Sequence, residues 1–140
     1  MNTPYDAAIR ICRQRLDAIR VQVAQQADKV DQLDAAQSAV QAKLQMEADL
    51  VRDEFMPFVN FGAYAQRMRK EAEAIEEACA DARAELDVLM DHTQEAFGDY
   101  KSLDQAASSF QDRRNREAGR REQNTMDELA GQSFDRARAA

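Results

Sequence analysis

Five arginines lie within nine residues in the C-terminal part of the 140-residue chain. They are Arg113, Arg114, Arg116, Arg120 and Arg121. A guanidinium group keeps its charge and donates paired hydrogen bonds that match a carboxylate, so the cluster suits binding to acidic groups on a protein partner. A solvated helix face is the ordinary alternative. We favour partner binding because the chain as a whole is acidic, with a net charge of −7.

A second group with binding chemistry is aromatic and lies near the middle of the chain. It comprises Phe55, Phe58, Phe61 and Tyr64, with Met56 among them. A small cluster that closes a turn is the simpler interpretation. The functional interpretation is an apolar docking surface, because a narrow turn cannot bury four rings.

The sequence lacks the residue patterns of catalysis and of cofactor binding. His92 is the only histidine, and none of the four glycines belongs to a phosphate-binding loop. We therefore predict a protein that is not an enzyme and that holds no metal or cofactor. The negative charge disfavours nucleic acid as a partner. No apolar run is long enough to insert into a membrane, which predicts a cytoplasmic protein.

Two helices must position these groups. In the first, Thr3 is placed to cap, Pro4 fits the first helical position and Asp6 the first turn. A heptad pattern follows, with apolar residues and a few polar ones at alternating steps of three and four. Its members are Ile9, Cys12, Leu16, Ile19, Val23, Gln26, Val30, Leu33, Gln37, Val40, Leu44, Glu47, Val51 and Glu54.

Pro57 ends the first helix, because it lacks an N–H group and disfavours helical geometry at Met56. Asn60 is placed to cap the second helix. The second heptad pattern is more regular and rich in alanine. Its members are Ala65, Met68, Ala72, Ile75, Cys79, Ala82, Leu86, Leu89, Thr93, Ala96, Tyr100, Leu103, Ala107 and Phe110.

Two heptad patterns joined by a short turn predict an all-α fold, an antiparallel coiled-coil hairpin whose second helix is longer. We expect residues 1–110 to form the hairpin, with its turn near 56–61, and residues 111–140 to form a helical overhang or tail. The pairing puts Phe110 beside Tyr5 and Asp6. It also puts Glu47 near Arg69 and Asp49 near Arg67.

The same pairing keeps Cys12 and Cys79 far apart along the helices, so both thiols are predicted to be free. Residues after Phe110 have no facing helix, and an isolated helix frays without a packed face. Two interpretations of residues 111–140 therefore remain, an ordered helical overhang and a disordered tail. They are compatible if the segment becomes ordered only on binding a partner.

The segment REQNTMDELA, from Arg121 to Ala130, resembles the closing signature of the FliJ family of the bacterial flagellar type III export apparatus. The preceding YKSLDQAASSFQDRRNREAGR, the chain length and the helix layout are also similar. The resemblance implies a coiled-coil stalk that engages the hexameric export ATPase and the cytoplasmic domain of the export gate, with a role in escorting export chaperones. It also implies a single-chain protein peripherally associated with the membrane-bound apparatus.

By the same resemblance, Met126, Asp127 and Glu128 match the most recognisable family positions, and the terminal part of the stalk enters the ATPase ring. Three alternatives differ from this interpretation. One is a structural coiled coil, acting as a scaffold or a homodimeric tether, which would have to continue its helix past Pro57. Another is the equivalent stalk of a virulence-type secretion system. The third is a secretion chaperone that binds its substrates through the aromatic turn.

Overall fold

The computed structural model describes residues 2–54 and 61–139, apart from the side chains of Val51, Asp53, Glu54 and Phe61. Within these ranges the chain forms two helices, α1 (Asp6–Glu54) and α2 (Phe61–Ala139). The predicted turn, with Pro57 and the Asn60 cap, lies outside the described residues. The all-α antiparallel hairpin with a longer second helix is confirmed, since α2 has 79 residues and α1 has 49.

Helix α1 begins with a reciprocal set of hydrogen bonds between Thr3 and Asp6. The Thr3 N–H donates to the Asp6 carboxylate at 3.0 Å and the Thr3 hydroxyl donates to it at 2.5 Å. The Tyr5 N–H donates to the Thr3 hydroxyl oxygen at 3.3 Å. The helix starts at Asp6, two residues later than predicted, because these bonds hold Pro4 and Tyr5 in a turn.

The fold covers the predicted heptad positions. Every described member of both patterns is buried or half-buried. The most buried residues are Leu16, Ile19, Val30, Val40, Ala65, Cys79, Ala82 and Ala96. Three of the eight are alanines, and small side chains let two helix backbones approach closely. The buried residues therefore form only a narrow seam in each part of the hairpin that is described below.

Contacts divide the chain into two compact units. The terminal unit comprises residues 1–15 and 96–140. In it the Tyr5 and Phe110 rings meet edge-on with centroids 6.5 Å apart, which confirms that Phe110 lies beside the start of α1. The Arg13 guanidinium donates to the Tyr100 hydroxyl at 3.0 Å and lies over its ring. These two pairs show that the helices of this unit run antiparallel.

The central unit comprises residues 16–95. Here the polar seam residue Gln26 donates to the Ala82 carbonyl at 2.9 Å and to the Glu85 carboxylate at 3.1 Å, so its amide is satisfied. Asp34 accepts from Arg83 at 2.8 Å and from the Cys79 thiol at 3.6 Å. The Cys79 pKa is raised, first by burial and then by its hydrogen bond to Asp34. Both cysteines are free, as predicted.

The charge pairs expected near the turn take a different form. Asp49 pairs with Arg52 on its own helix at 3.8 Å and accepts from Gln45 at 3.1 Å. Within the described ranges neither Arg67 nor Arg69 forms an ion pair, and both are exposed. Residues three or four positions apart on one helix are already close in space. Asp49 therefore loses less side-chain conformational entropy by pairing with Arg52 than by pairing with a residue of the facing helix.

Beyond the Tyr5–Phe110 contact, α2 continues as helix to Ala139. Every residue from Asp112 to Ala139 is exposed. At a rise of 1.5 Å per residue, this exposed part is roughly 42 Å long. We call residues 112–139 the overhang. Neither helix, within the described residues, contains a stretch that is long and apolar enough to cross a membrane.

Candidate partner-binding surface

The five clustered arginines all lie on the overhang and are all exposed. The ion pairs among the described residues are Arg20–Asp17, Arg52–Asp49 and Arg83–Asp34, so none of the five pairs with a carboxylate in that part of the chain. Their segment, Arg113 to Arg121, contains one acidic residue and carries a net charge of +4. These guanidinium groups are available to an external acidic surface.

Among the described residues, the side-chain hydrogen bonds of the overhang and of the adjoining Gln111 are local. The Gln111 amide donates to Asn115 at 3.3 Å, and the Gln123 amide donates to Asp127 at 3.1 Å. The Thr125 hydroxyl donates to the Arg121 carbonyl at 2.9 Å. Side-chain pairs four residues apart stabilise an isolated helix by only about 0.2–0.5 kcal/mol each. The overhang is therefore stabilised only weakly by its own side chains, and no second helix packs against it within the described residues.

The residues matched to the family signature also lie on the overhang. Met126, Asp127 and Glu128 are exposed. Consecutive residues of an α-helix point about 100° apart, so these three do not share one contact face. Asp127 is oriented by its bond from Gln123, whereas Met126 places 66% of its surface in solvent.

The aromatic group near the turn can be described only at Tyr64. Its side chain is half-buried, beside the buried Ala65. Phe55 and Phe58 lie outside the described residues, as does the Phe61 side chain. The proposed docking surface there stays a prediction.

The structure adds a groove that the sequence did not suggest. It has a volume of about 800 Å³ and lies in the terminal unit where α1 begins. Its charged lining comprises Asp6, Arg10, Arg13, Asp104 and Asp112. Hydrogen bonds from the Thr3 side chain and backbone lower the pKa of Asp6. Two cations and three carboxylates give the groove a mixed charge.

Two further overhang residues were missed by the sequence reasoning, Leu129 and Phe134. They expose 60% and 65% of their surface. With Met126 they form an apolar set on the overhang, where the described residues leave all three largely exposed. Their spacing of three and eight residues from Met126 is the signal that could have found them. Within the described part of the chain, no three potential metal ligands come together.

Comparison with known proteins adds one finding. The family model described as "FliJ: Flagellar FliJ protein" matches residues 12–139, nearly the whole chain. No curated protein and no solved structure matches it.

Proposed function

This chain belongs to the FliJ family and is a component of the flagellar export apparatus, and we propose that it acts there as a non-enzymatic coupling stalk. In this proposal the overhang binds the hexameric export ATPase, and the middle of the chain contacts the cytoplasmic domain of the export gate. The protein works as a single chain, peripherally associated with the membrane-bound apparatus. Escort of export chaperones is a further role of the same surface.

The observation that carries the proposal is the overhang itself. Among the described residues its arginines form no ion pair with a carboxylate, and all of its residues from Asp112 to Ala139 are exposed. Arg116 and Arg120 lie four residues apart on the helix and repel each other, so the high density of arginines here is not explained by helix stability alone. Carboxylates of a binding partner would form charge-assisted hydrogen bonds with these arginines.

The test is co-purification with the export ATPase, combined with measurement of its ATP hydrolysis rate. The full chain is expected to bind the ATPase and raise its turnover. Truncation after Phe110 removes the overhang and is expected to abolish both effects. Unchanged binding and turnover by the truncated chain would contradict the proposal.

A charge-matched pair of variants separates the arginine cluster from a general effect of charge. Substitution of Arg113, Arg116 and Arg120 by Gln removes three charges from the overhang. Substitution of the exposed Arg15, Arg67 and Arg69 by Gln removes three charges elsewhere. The first variant is expected to weaken ATPase binding and the second to leave it unchanged. Equal losses would indicate non-specific attraction.

The aromatic group is tested separately against the export gate. Replacing Phe58 and Phe61 by Ala is expected to weaken binding to the cytoplasmic domain of the gate while ATPase stimulation is kept. Loss of binding to export substrates, with gate binding intact, would instead identify a secretion chaperone.

A further inference from the structure

The overhang carries three large apolar side chains that the described residues leave largely uncovered. Met126, Leu129 and Phe134 expose 66%, 60% and 65% of their surface. Single exposed apolar residues are common, but three within nine residues of one unpacked helix form a patch that favours a partner. The position of this patch around the helix shows from which side that partner approaches.

Phe110 defines the side of α2 that faces α1 in the terminal unit, because its ring contacts Tyr5. Rotation of about 100° per residue places Met126 about 160° from Phe110 around the helix axis. Leu129 lies about 100° from Phe110 on one side and Phe134 about 120° on the other. Ala130 and Ala137 fall between these two limits. The apolar patch therefore occupies the side of the overhang that points away from the α1 side.

The side of the overhang in line with Phe110 has the opposite character. Glu117, Glu128 and Asp135 all lie within about 20° of the Phe110 direction, together with Arg121. Three carboxylates along this line would be costly to bury against an apolar surface. A partner helix that simply extended the hairpin seam would have to bury them.

We propose that the overhang binds its partner through the outer face formed by Met126, Leu129 and Phe134, and that this partner presents an apolar surface bordered by carboxylates. The positive charge of the neighbouring arginine segment supports the proposed carboxylates at the border of the partner's apolar surface. Arg116 lies on the same line of the helix as Phe134, and Arg120 lies about 40° from that line. The inference rests on the proposed function, which makes the export ATPase the partner of the overhang, and it assigns the contact face.

The same face has features that favour a protein over a lipid surface. Glu122 lies between the directions of Leu129 and Met126, and Asp127 lies near the edge of the patch. Carboxylates at these positions repel anionic lipid, as does the chain's net charge of −7. A protein surface can place individual partners against such groups, whereas a lipid surface cannot.

The experiment uses the full chain, the purified export ATPase and three variants. The outer-face variant is M126S/L129S/F134S, the opposite-face control is E117Q/D135N, and the third chain is truncated after Phe110. Affinity is measured by titration calorimetry and helix content by circular dichroism. Since all five substituted residues are exposed, the hairpin is expected to keep its unfolding temperature.

The outer-face variant is expected to lose at least about tenfold in affinity, as for the central apolar residues of an interface. The control is expected to bind as the unmodified chain does. If the control loses affinity and the outer-face variant does not, while truncation abolishes binding, the face assignment is wrong and the proposed function stands. If truncation leaves affinity unchanged, both fail.

A vesicle flotation assay covers the lipid alternative. Vesicles of phosphatidylglycerol and phosphatidylcholine are expected to leave the full chain unbound. Flotation of the full chain that the outer-face variant loses, with its ATPase affinity retained, would assign the patch to a membrane and overturn the proposal.

Discussion

The ring of Tyr5 meets the ring of Phe110 edge-on, with centroids 6.5 Å apart and planes at 78°. Edge-to-face aromatic pairs contribute about 0.5–1.5 kcal/mol beyond the area they bury. The pair joins the start of α1 to the last half-buried ring of α2 before the overhang. It therefore closes the terminal end of the hairpin.

We predict a coupling free energy of about 0.5–1.5 kcal/mol between these rings. The measurement is a double-mutant cycle of Tyr5→Leu and Phe110→Leu, followed by urea unfolding. Phe134→Leu serves as the control, because Phe134 is 65% exposed and is expected to change the unfolding free energy little. Additive effects of the two leucines would show that the rings do not interact in solution.

The narrow seam of the central unit supports a second prediction. Ile19→Ala is expected to lower the unfolding free energy by about 2–3 kcal/mol, the lower part of the range for buried Ile→Ala substitutions, because a two-helix seam collapses readily around a cavity. Ile11→Ala removes the same atoms from a side chain that is 62% exposed and should cost much less. Equal losses in urea unfolding would contradict the assigned register.

The ion pair between Arg83 and Asp34 is short, at 2.8 Å, but both side chains are substantially exposed. Exposed pairs contribute about 0.2–1 kcal/mol and are screened by salt. Arg83→Gln is therefore expected to lower the unfolding free energy by less than about 1 kcal/mol. The difference should shrink at high ionic strength. A large loss that persists in salt would mean that the pair is desolvated in solution.

The two thiols are expected to differ in reactivity. Cys79 is 3% exposed, and burial and the hydrogen bond to Asp34 raise its pKa, so little reactive thiolate forms near neutral pH. Cys12 is half-buried. In the native protein Cys12 should react with a thiol reagent first, with C12S and C79S variants identifying each site. Faster reaction at Cys79 would show that the seam opens there.

The start of α1 is expected to depend on pH through Asp6. Hydrogen bonds from Thr3 lower its pKa in the folded chain below the ordinary 3.8. A carboxyl group with a lowered folded pKa contributes stability above its unfolded pKa and loses it as pH falls through the folded value. Asp6→Asn should lower the unfolding temperature near neutral pH and have little effect well below 3.8. The control is Asp31→Asn, an exposed residue of the same helix. A difference independent of pH would assign the effect to something other than the carboxylate.

The heptad repeat predicted the seam because burial depends on which residues recur on one helix face. Phe110 is the clearest case, since its position against Tyr5 follows from the pairing of the two patterns. Asp49 is the opposite case. Its long-range partner was predicted, but a flexible charged side chain pairs with the nearest cation, here Arg52.

The candidate site was predictable in composition and less so in geometry. The arginine cluster is evident in the sequence, whereas the patch of Met126, Leu129 and Phe134 emerges only once Phe110 fixes the direction of the seam. Residues after Phe110 have no facing residues on α1, so no heptad pattern marks one face of the helix there. The sequence places Phe110 in the seam, but the structure was needed to show that Met126, Leu129 and Phe134 stay exposed.

The exposure of every residue from Asp112 to Ala139 has an evolutionary consequence. Substitutions there change the stability of the hairpin little, so natural selection acts on these residues chiefly through their contacts with a binding partner. Lineages can then exchange residues in this stretch in step with a changing counterpart, while the rest of the protein is held by the demands of its own interior.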